Sequence, residues 1–333
     1  MKHSQPLVSI IIPAYNRATR ISRTLEAIIN QNYDTLEIIL VDDASMDDTV
    51  VTAERVLSQS GRAYKILKHE TNLGVSVARN DGLKAAMGQY VWFCDSDDVV
   101  ESNFVSVMVS RIGSDNTDIV ICNLQEWYEH YNKYGEVKIY SDSVLSREEY
   151  FKAYGQGEMN LWNVCNCLFK RRFLVENKIR YRENLSVGED GDFTTRALIL
   201  SPKISFTAET SYTYMQYSEN LANHDDWKRP NMHKHIMLAT MYIARAIIRN
   251  TNHSKAINRA VSTIIYEYLK MCKLYAQVRD KENYDYMTKK FRHKKVREVM
   301  LSSMKDIFHS PETFIKAFML IYLPSLYYKV RSM

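Results

Sequence analysis

"NLGVSVARNDGLKAAMGQYVWFCDSDD", residues 72–98, decides how this chain is read. Its first part, GVSVARNDGLKAAMG, is patterned as a helix closed by Gly88. Tyr90-Val91-Trp92-Phe93-Cys94 is a continuous apolar run, as expected of a strand whose sheet is covered on both faces. Asp95, Asp97 and Asp98 then arrive within four residues. Like charges this close repel, and a carboxylate near a core loses hydration, so the cluster needs a partner.

The same alternation runs outward from that stretch. LVSIIIPAYN (7–16) reads as a buried strand ending at a proline turn, and RISRTLEAIINQN (20–32) places Ile21, Leu25, Ile28 and Ile29 on one helical face. TLEIILVDDAS (35–45) is a second strand. SMDDTVVTAERVLSQSG (45–61) is a helix with Ser45 as expected N-cap and Gly61 after its end. YKILKHE (64–70) is a third strand and QYVWFCD (89–95) a fourth. Alternating strands and helices with continuous apolar strands predict an α/β fold with a mostly parallel sheet and helices on both faces. Ligands of such sheets bind beyond the carboxyl ends of the strands. Polar groups gather at those ends: Tyr15-Asn16, Asp42-Asp43, Asn72, and Asp95-Ser96-Asp97-Asp98.

Neither a G-x-G-x-x-G turn after the first strand nor a Walker loop is present. A bound diphosphate would need neutralising by other means. Asp95 and Asp97 offer hard oxygen ligands suited to Mg²⁺ or Mn²⁺. The five cysteines (94, 122, 165, 167 and 272) are irregularly spaced, and Cys165-Asn166-Cys167 has no second pair to build a zinc site, so they read as reduced cytosolic thiols.

VSIIIPAYN, EIILVDDASMDDT, NLGVSVARNDGLKAAMGQYVWFCDSDD and GEDGDF (188–193) together resemble the successive motifs of family 2 glycosyltransferases, the inverting GT-A enzymes, over roughly residues 6–225. The resemblance implies a GT-A domain over 1–225. It also implies an enzyme, a hexosyl- or N-acetylhexosaminyltransferase, that moves a sugar from a UDP-sugar to a hydroxyl of a glycan or lipid-linked acceptor in bacterial surface polysaccharide synthesis. Carried onto this chain, the nucleoside falls on Pro13, Ala14, Tyr15 and Asn16, with Asp42 on the base and Asp43 shaping the same turn. Asn72, Gly74, Arg79 and Asn80 would line the donor pocket, Arg79 by contacting phosphate or base. The D-x-D motif falls on Asp95 and Asp97 with Ser96 between them. Asp97 is the expected direct ligand of Mn²⁺ or Mg²⁺, and Asp98 is placed on the sugar hydroxyls.

The family's base falls on Asp190, with Glu189 beside it to support it or orient the acceptor. Asp190 would take the acceptor proton in one inverting displacement. YTYMQYSENLANHDDW (212–227) resembles the family's mobile segment and makes His224 a metal-ligand candidate; the arginine the family often carries there is missing. Trp162 and Asn163 are acceptor candidates.

The 333 residues carry 44 basic and 39 acidic side chains, and the excess is local. Residues 281–333 hold eleven Lys/Arg against five Asp/Glu. KKFRHKKVR (289–297) precedes FIKAFMLIYLPSLYYKVRSM (314–333), which Lys316 and Pro324 interrupt. That pattern fits an interfacial amphipathic helix better than a span. Residues 226–333 are therefore expected to be a helical basic and aromatic region. Through 289–333 it would hold the protein peripherally at the cytoplasmic face of the membrane. Two other classes compete. A Mg²⁺-dependent phosphatase-type hydrolase would put its nucleophilic aspartate after the first strand, where Pro13-Ala14-Tyr15-Asn16 stands. A non-enzymatic binder of nucleic acid or anionic surfaces would use the basic tail and have no need of the acidic crevice; nucleic acid is not expected as a partner.

Overall fold

A computed structural model describes residues 5–135, 140–159, 163–217, 230–277, 279–291 and 325. The first stretch alternates β1 (Val8–Ala14), α1 (Ile21–Ile29), β2 (Leu36–Asp42), α2 (Thr49–Ser58), β3 (Ala63–Lys68), α3 (Val75–Ala85) and β4 (Tyr90–Phe93). Next come β5 (Val99–Val100), α4 (Phe104–Ser114), β6 (Ile119–Tyr128), β7 (Lys133–Tyr134), β8 (Ser143–Ser146), α5 (Arg147–Gln156), β9 (Cys167–Lys170), α6 (Arg171–Glu176), α7 (Glu189–Leu200) and β10 (Lys203–Gln216). The helices α8 (Pro230–Asn250), α9 (Ser254–Gln277) and α10 (Lys281–Phe291) follow.

All ten strands join one sheet in the order β3-β2-β1-β4-β9-β6-β10-β5, with β7 on β6 and β8 on β10. The strands β3, β2, β1, β4, β6 and β10 run one way, and β9 runs against both its neighbours, β4 and β6. This is the expected mostly parallel α/β sheet. Reversal of β9 has a consequence for the crevice. Leu168 pairs with both Trp92 and Val120, so the residues just before β9 arrive at the carboxyl end of β4, with Asn166 beside Cys122 in the first half of β6.

Every residue of β1 and β2 is buried. Ile21, Leu25 and Ile28 of α1 pack into the same cluster as Ile10, Ile12 and Leu40, each worth about 1.5–3 kcal/mol of burial. Side chains of β4 alternate between the faces, so helices cover both. Trp92 meets Phe104 of α4 at 4.3 Å between ring centres, and Phe93 meets Phe193 of α7 at 5.4 Å. On β1, α3 sits so close that a Cβ at Gly82 would lie 2.3 Å from Ile11 Cγ2. Only glycine allows that approach.

Two local expectations change. Ser45 does not cap α2, which begins at Thr49; its Oγ instead accepts the Asn16 amide at 2.9 Å, and Asp47 Oδ1 accepts the Thr49 amide at 3.0 Å. β3 is a sheet edge with alternating exposure, not a strand buried on both faces, because nothing pairs outside it among the described residues.

The chain divides into two compact units, Met1–Arg147 with Leu161–Asn220, and Glu148–Asn160 with Leu221–Met333. The first holds the sheet. The second joins α5 to α8, α9 and α10. There Tyr150, Phe151 and Tyr154 of α5 are buried, as are Met271, Cys272 and Tyr275 of α9. The guanidinium of Arg259 donates to the carbonyls of Tyr154 and Met159. Among the described residues no helix is long and apolar enough to cross a membrane. Residues 292–324 and 326–333, with most of the basic and apolar tail, lie outside the described residues, as do Trp162 and His224.

Candidate active site

The ends of β1 and β2 are locked together. Asn16 and Ala44 both adopt the left-handed region, at φ 50° and 63°. For alanine this conformation is costly, so the surrounding bonds must hold it. They do: Asn16 Oδ1 accepts the Met46 amide at 2.9 Å, Asp47 Oδ2 accepts the Ala18 amide at 3.0 Å, and the Asp43 amide reaches Ala14 O at 2.8 Å. Pro13 and Ala14 are buried inside β1, and Tyr15 is exposed at its mouth. Within this frame Asp42 accepts the Ser45 amide through Oδ2 at 3.1 Å, while its Oδ1 is buried without a hydrogen-bond partner. A buried acceptor in that state is a place for a ligand's donor.

Asp43 is spent on structure. Its carboxylate takes the amides of Leu73 at 2.8 Å and Gly74 at 2.7 Å and lies 2.8 Å from His69 Nδ1. It therefore builds the loop that carries the exposed Asn72, beyond β3.

The three aspartates after β4 separate into different environments. Asp97 faces Arg17, whose Nε lies 3.4 Å from Oδ2, and its backbone carbonyl accepts Arg23 Nη2 at 3.3 Å and Tyr217 Oη at 3.1 Å. Burial raises its carboxyl, the Arg17 and Arg20 charges oppose, and Asp95 adds to the rise. Ser96 is buried beside it. Asp98 has no exposed surface at all; it accepts Tyr212 Oη at 2.6 Å and the Met215 amide at 2.9 Å. Burial and the charges of Asp95 and Asp97 hold its carboxyl well above the usual range. The expectation that Asp98 meets sugar hydroxyls is thus corrected: both its oxygens bind β10 inside the core.

Asp95 turns to Arg79. One face of α3, at spacings of three and four residues, carries Ser76, Arg79 and Asn80. Ser76 Oγ donates to Leu185 O at 2.9 Å, and the Asn80 amide group brackets Tyr181, with Nδ2 to its carbonyl at 3.0 Å and Oδ1 from its amide at 2.8 Å. These bonds fix the segment leading into α7. Gly188, at φ 77°, then turns the chain so that Glu189 and Asp190 open the helix, where its dipole favours acids. Arg79 lies between the groups, 3 % exposed: Nη2 is 2.7 Å from Asp95 Oδ1, and Nη1 is 3.0 Å from Glu189 Oε1 and 2.9 Å from Asp190 Oδ1. Its guanidinium also lies 5.1 Å above the Tyr181 ring. With its fork held by three carboxylates, Arg79 is not placed to grip phosphate or base as the sequence suggested, and Asn80 clamps the chain instead of lining a pocket.

Asp190 Oδ1 is buried, yet a quarter of the side chain remains exposed. Burial lifts its carboxyl well above the usual range; Arg79 pulls the other way, and Glu189 and Asp95 add to the rise. A carboxylate raised in this way is a stronger base near neutrality. Asp192, the third acid of the first turn, is sequestered by Arg182 at 3.2 Å and Arg196 at 2.6 Å. Asn163, an acceptor candidate, is exposed on the segment that leads to β9.

Among the described residues, the close set of metal-ligating atoms is Asp95, Asp98 and Cys165, within 4.8 Å of one another. That set does not suit a hard cation. Burial holds the Cys165 thiol well above its ordinary value, so it stays protonated, and both oxygens of Asp98 already accept hydrogen bonds. Asp95 and Asp97 fit better: both keep side-chain exposure, 23 % and 13 %, and both offer carboxylate oxygens.

The sequence profile described as Glycosyl transferase family 2 matches residues 9–177. The chain belongs to glycosyl transferase family 2. Similar sequences include EpsH of Bacillus subtilis (strain 168), named as a glycosyltransferase, 33% identical over 216 residues covering 63% of this chain and 60% of EpsH. The cholesterol galactosyltransferase of Borreliella burgdorferi is 30% identical over 220 residues, covering 63% and 60%. The chain thus spans about three fifths of the length of these curated relatives. Its fold is the GT-A fold. S. aureus TarS 1-349, solved with UDP, superposes with a TM-score of 0.69 at 18% identity, covering 95% of this chain and 89% of that one. A mannosyltransferase from Pyrobaculum calidifontis, solved with GDP-Man and Mn²⁺, gives 0.56 at 17% identity, covering 98% and 87%. Within this family 2 fold the sequence left Arg17, Tyr181 and Tyr212 without a role. Arg17 had a signal, since it directly follows Tyr15-Asn16; Tyr181 and Tyr212 meet their partners only through long-range pairing.

Proposed function

We propose that the protein is an inverting glycosyltransferase that moves a sugar from a UDP-sugar to a hydroxyl of a glycan or lipid-linked acceptor, with Asp190 as general base. The observation that carries this reading is the shared guanidinium: Arg79 binds Asp95 of the D-x-D motif and Asp190 of the base pair at once. Donor-side and acceptor-side chemistry are thereby held in one fixed relation. Asp42 Oδ1 offers a buried acceptor to a nucleobase N–H. Asp190, raised and partly open, accepts the acceptor proton, and Arg79 keeps it aimed. Asp95 and Asp97 would hold Mn²⁺ or Mg²⁺, which supplies Lewis-acid stabilisation of the leaving diphosphate when bound.

We place the protein on the cytoplasmic side, with peripheral membrane contact through 289–333. Deleting 281–333 should then release it from anionic liposomes, and unchanged sedimentation would refute that contact. The catalytic test is transfer from a panel of UDP-, GDP- and TDP-sugars with Mn²⁺ or Mg²⁺. Asp190→Asn should lower turnover by about 10²–10⁴-fold while UDP affinity holds, as expected for loss of a base. Parallel loss of both would remove Asp190 from that role.

A further inference from the structure

Arg17 stands at the carboxyl end of β1 with its amide fixed on Thr49 Oγ1 at 2.6 Å. Its Nη1 donates to the carbonyls of Tyr15 at 3.2 Å and Asn16 at 3.3 Å, which aims Nε at Asp97. The contact with Asp97, at 3.4 Å, is longer than the 2.7–2.9 Å typical of a charge-assisted hydrogen bond. Two more guanidinium groups surround the same aspartate. Arg23 donates to its carbonyl and to Tyr217 Oη, and Arg20 lies 3.8 Å above the Tyr217 ring. Arg17 and Arg20 therefore act on the Asp97 carboxylate, and Arg23 binds the same residue's backbone carbonyl. Arg20 and Arg23 are held by Tyr217. Arg17 keeps a third of its side chain exposed and meets Asp97 through a long ion pair, so it is able to change partners.

We propose that Arg17 receives the diphosphate of the nucleotide donor, exchanging its bond to Asp97 for phosphate oxygens and releasing Asp97 toward the cation. The inference rests on the donor reading above and assigns a residue to the anion that the chain's missing glycine loop leaves uncradled. Arginine suits the task because its planar fork matches phosphate geometry and stays charged. Arg20 and Arg23 add positive potential beside Arg17, which favours an incoming diphosphate.

The test is titration calorimetry of the full chain with UDP and GDP, with uridine followed by ligand-observed NMR. Arg17→Ala should weaken diphosphate binding by about tenfold or more and leave uridine unchanged, and Arg17→Lys should recover part of the loss. With EDTA present, Asp97→Asn should bind UDP at least as tightly as the parent, since the competitor for Arg17 is gone. Unchanged diphosphate affinity in Arg17→Ala, or equal loss for UDP and uridine, overturns the assignment while leaving the donor reading in place. Weaker metal-free binding in Asp97→Asn overturns the exchange. A parent chain that binds neither diphosphate refutes the donor reading and this inference with it.

Discussion

Around Asp97 three arginines serve one residue, Arg17 and Arg20 its carboxylate and Arg23 its backbone carbonyl, whereas around Arg79 three carboxylates serve one arginine. The first group sits where β1 meets α1, the second where α3 meets α7, and Asp95 and Asp97 tie both to the end of β4. Under the proposed transfer, negative charge leaves the acceptor and collects on the departing diphosphate. An electronegative pole at Asp190 and an electropositive pole at Arg17 would stabilise that flow before any substrate moves, because fixed charges need no reorganisation at the moment of reaction. What the contrast teaches is that the two arginine sites, both legible as basic positions, do opposite work. Arg79 is buried and organises acids; Arg17 keeps a third of its side chain exposed and, under the proposal, receives an anion.

The hardest blow to this contrast is Arg79→Met. It leaves Asp95, Glu189 and Asp190 without their shared cation, and breaking such a buried pair costs about 3–5 kcal/mol. Denaturant unfolding should show that loss; a cost near zero would mean the acids find other partners and the acidic pole is not built by Arg79. Asp98→Ala comes next, at about 1–3 kcal/mol, because Tyr212 Oη and the Met215 amide lose their acceptor. Asp98→Asn should cost less than Ala. The raised carboxyl of Asp98 means the folded state binds its proton more tightly than the unfolded chain does. Its contribution is full at low pH and fades as pH rises, so Asp98→Asn should gain on the parent between acid and neutral pH. The opposite trend would return Asp98 to the charged, ligand-facing group.

Gly82→Ala should destabilise by about 1–3 kcal/mol through its clash with Ile11, since α3 must back away from β1 and carry Arg79 with it. Full transfer activity in that variant would show the acidic pole to be less dependent on α3 than its hydrogen bonds imply. The smallest effect belongs to Glu189→Gln. Removing this neighbouring charge lowers the pKa of Asp190, which Glu189 helps to raise, so the acid limb of kcat/KM should move to lower pH by a fraction of a unit. Movement to higher pH would mean Glu189 acts on Asp190 through hydrogen bonding and not through charge.

Local pattern made the first half of the fold readable. The apolar runs of β1, β2 and β4, the stripe of Ile21, Leu25 and Ile28, and the polar strand ends depend on residues close in sequence. The misreadings share a different cause. Asp98 and Tyr212 are 114 positions apart, and Arg79 and Glu189 are 110 apart. Nothing near Asp98 announces that β10 will claim both its oxygens. Nor does the ARN stretch reveal that its arginine will be captured by an α7 not yet reached. The reversal of β9 is equally silent in a four-residue strand.

One feature of the chain path bears on how such proteins can be cut and recombined. Strand β8 runs straight into α5, whose Tyr150, Phe151 and Tyr154 are buried within the second unit, before the chain returns to the sheet at β9. The units are therefore stitched, not strung. A truncation at residue 225, however sensible it looks on a linear map, would keep α5 and discard α9, whose Arg259 holds the Tyr154 and Met159 carbonyls. Exchanging C-terminal halves between relatives would meet the same obstacle unless the α5 segment travels with its helices.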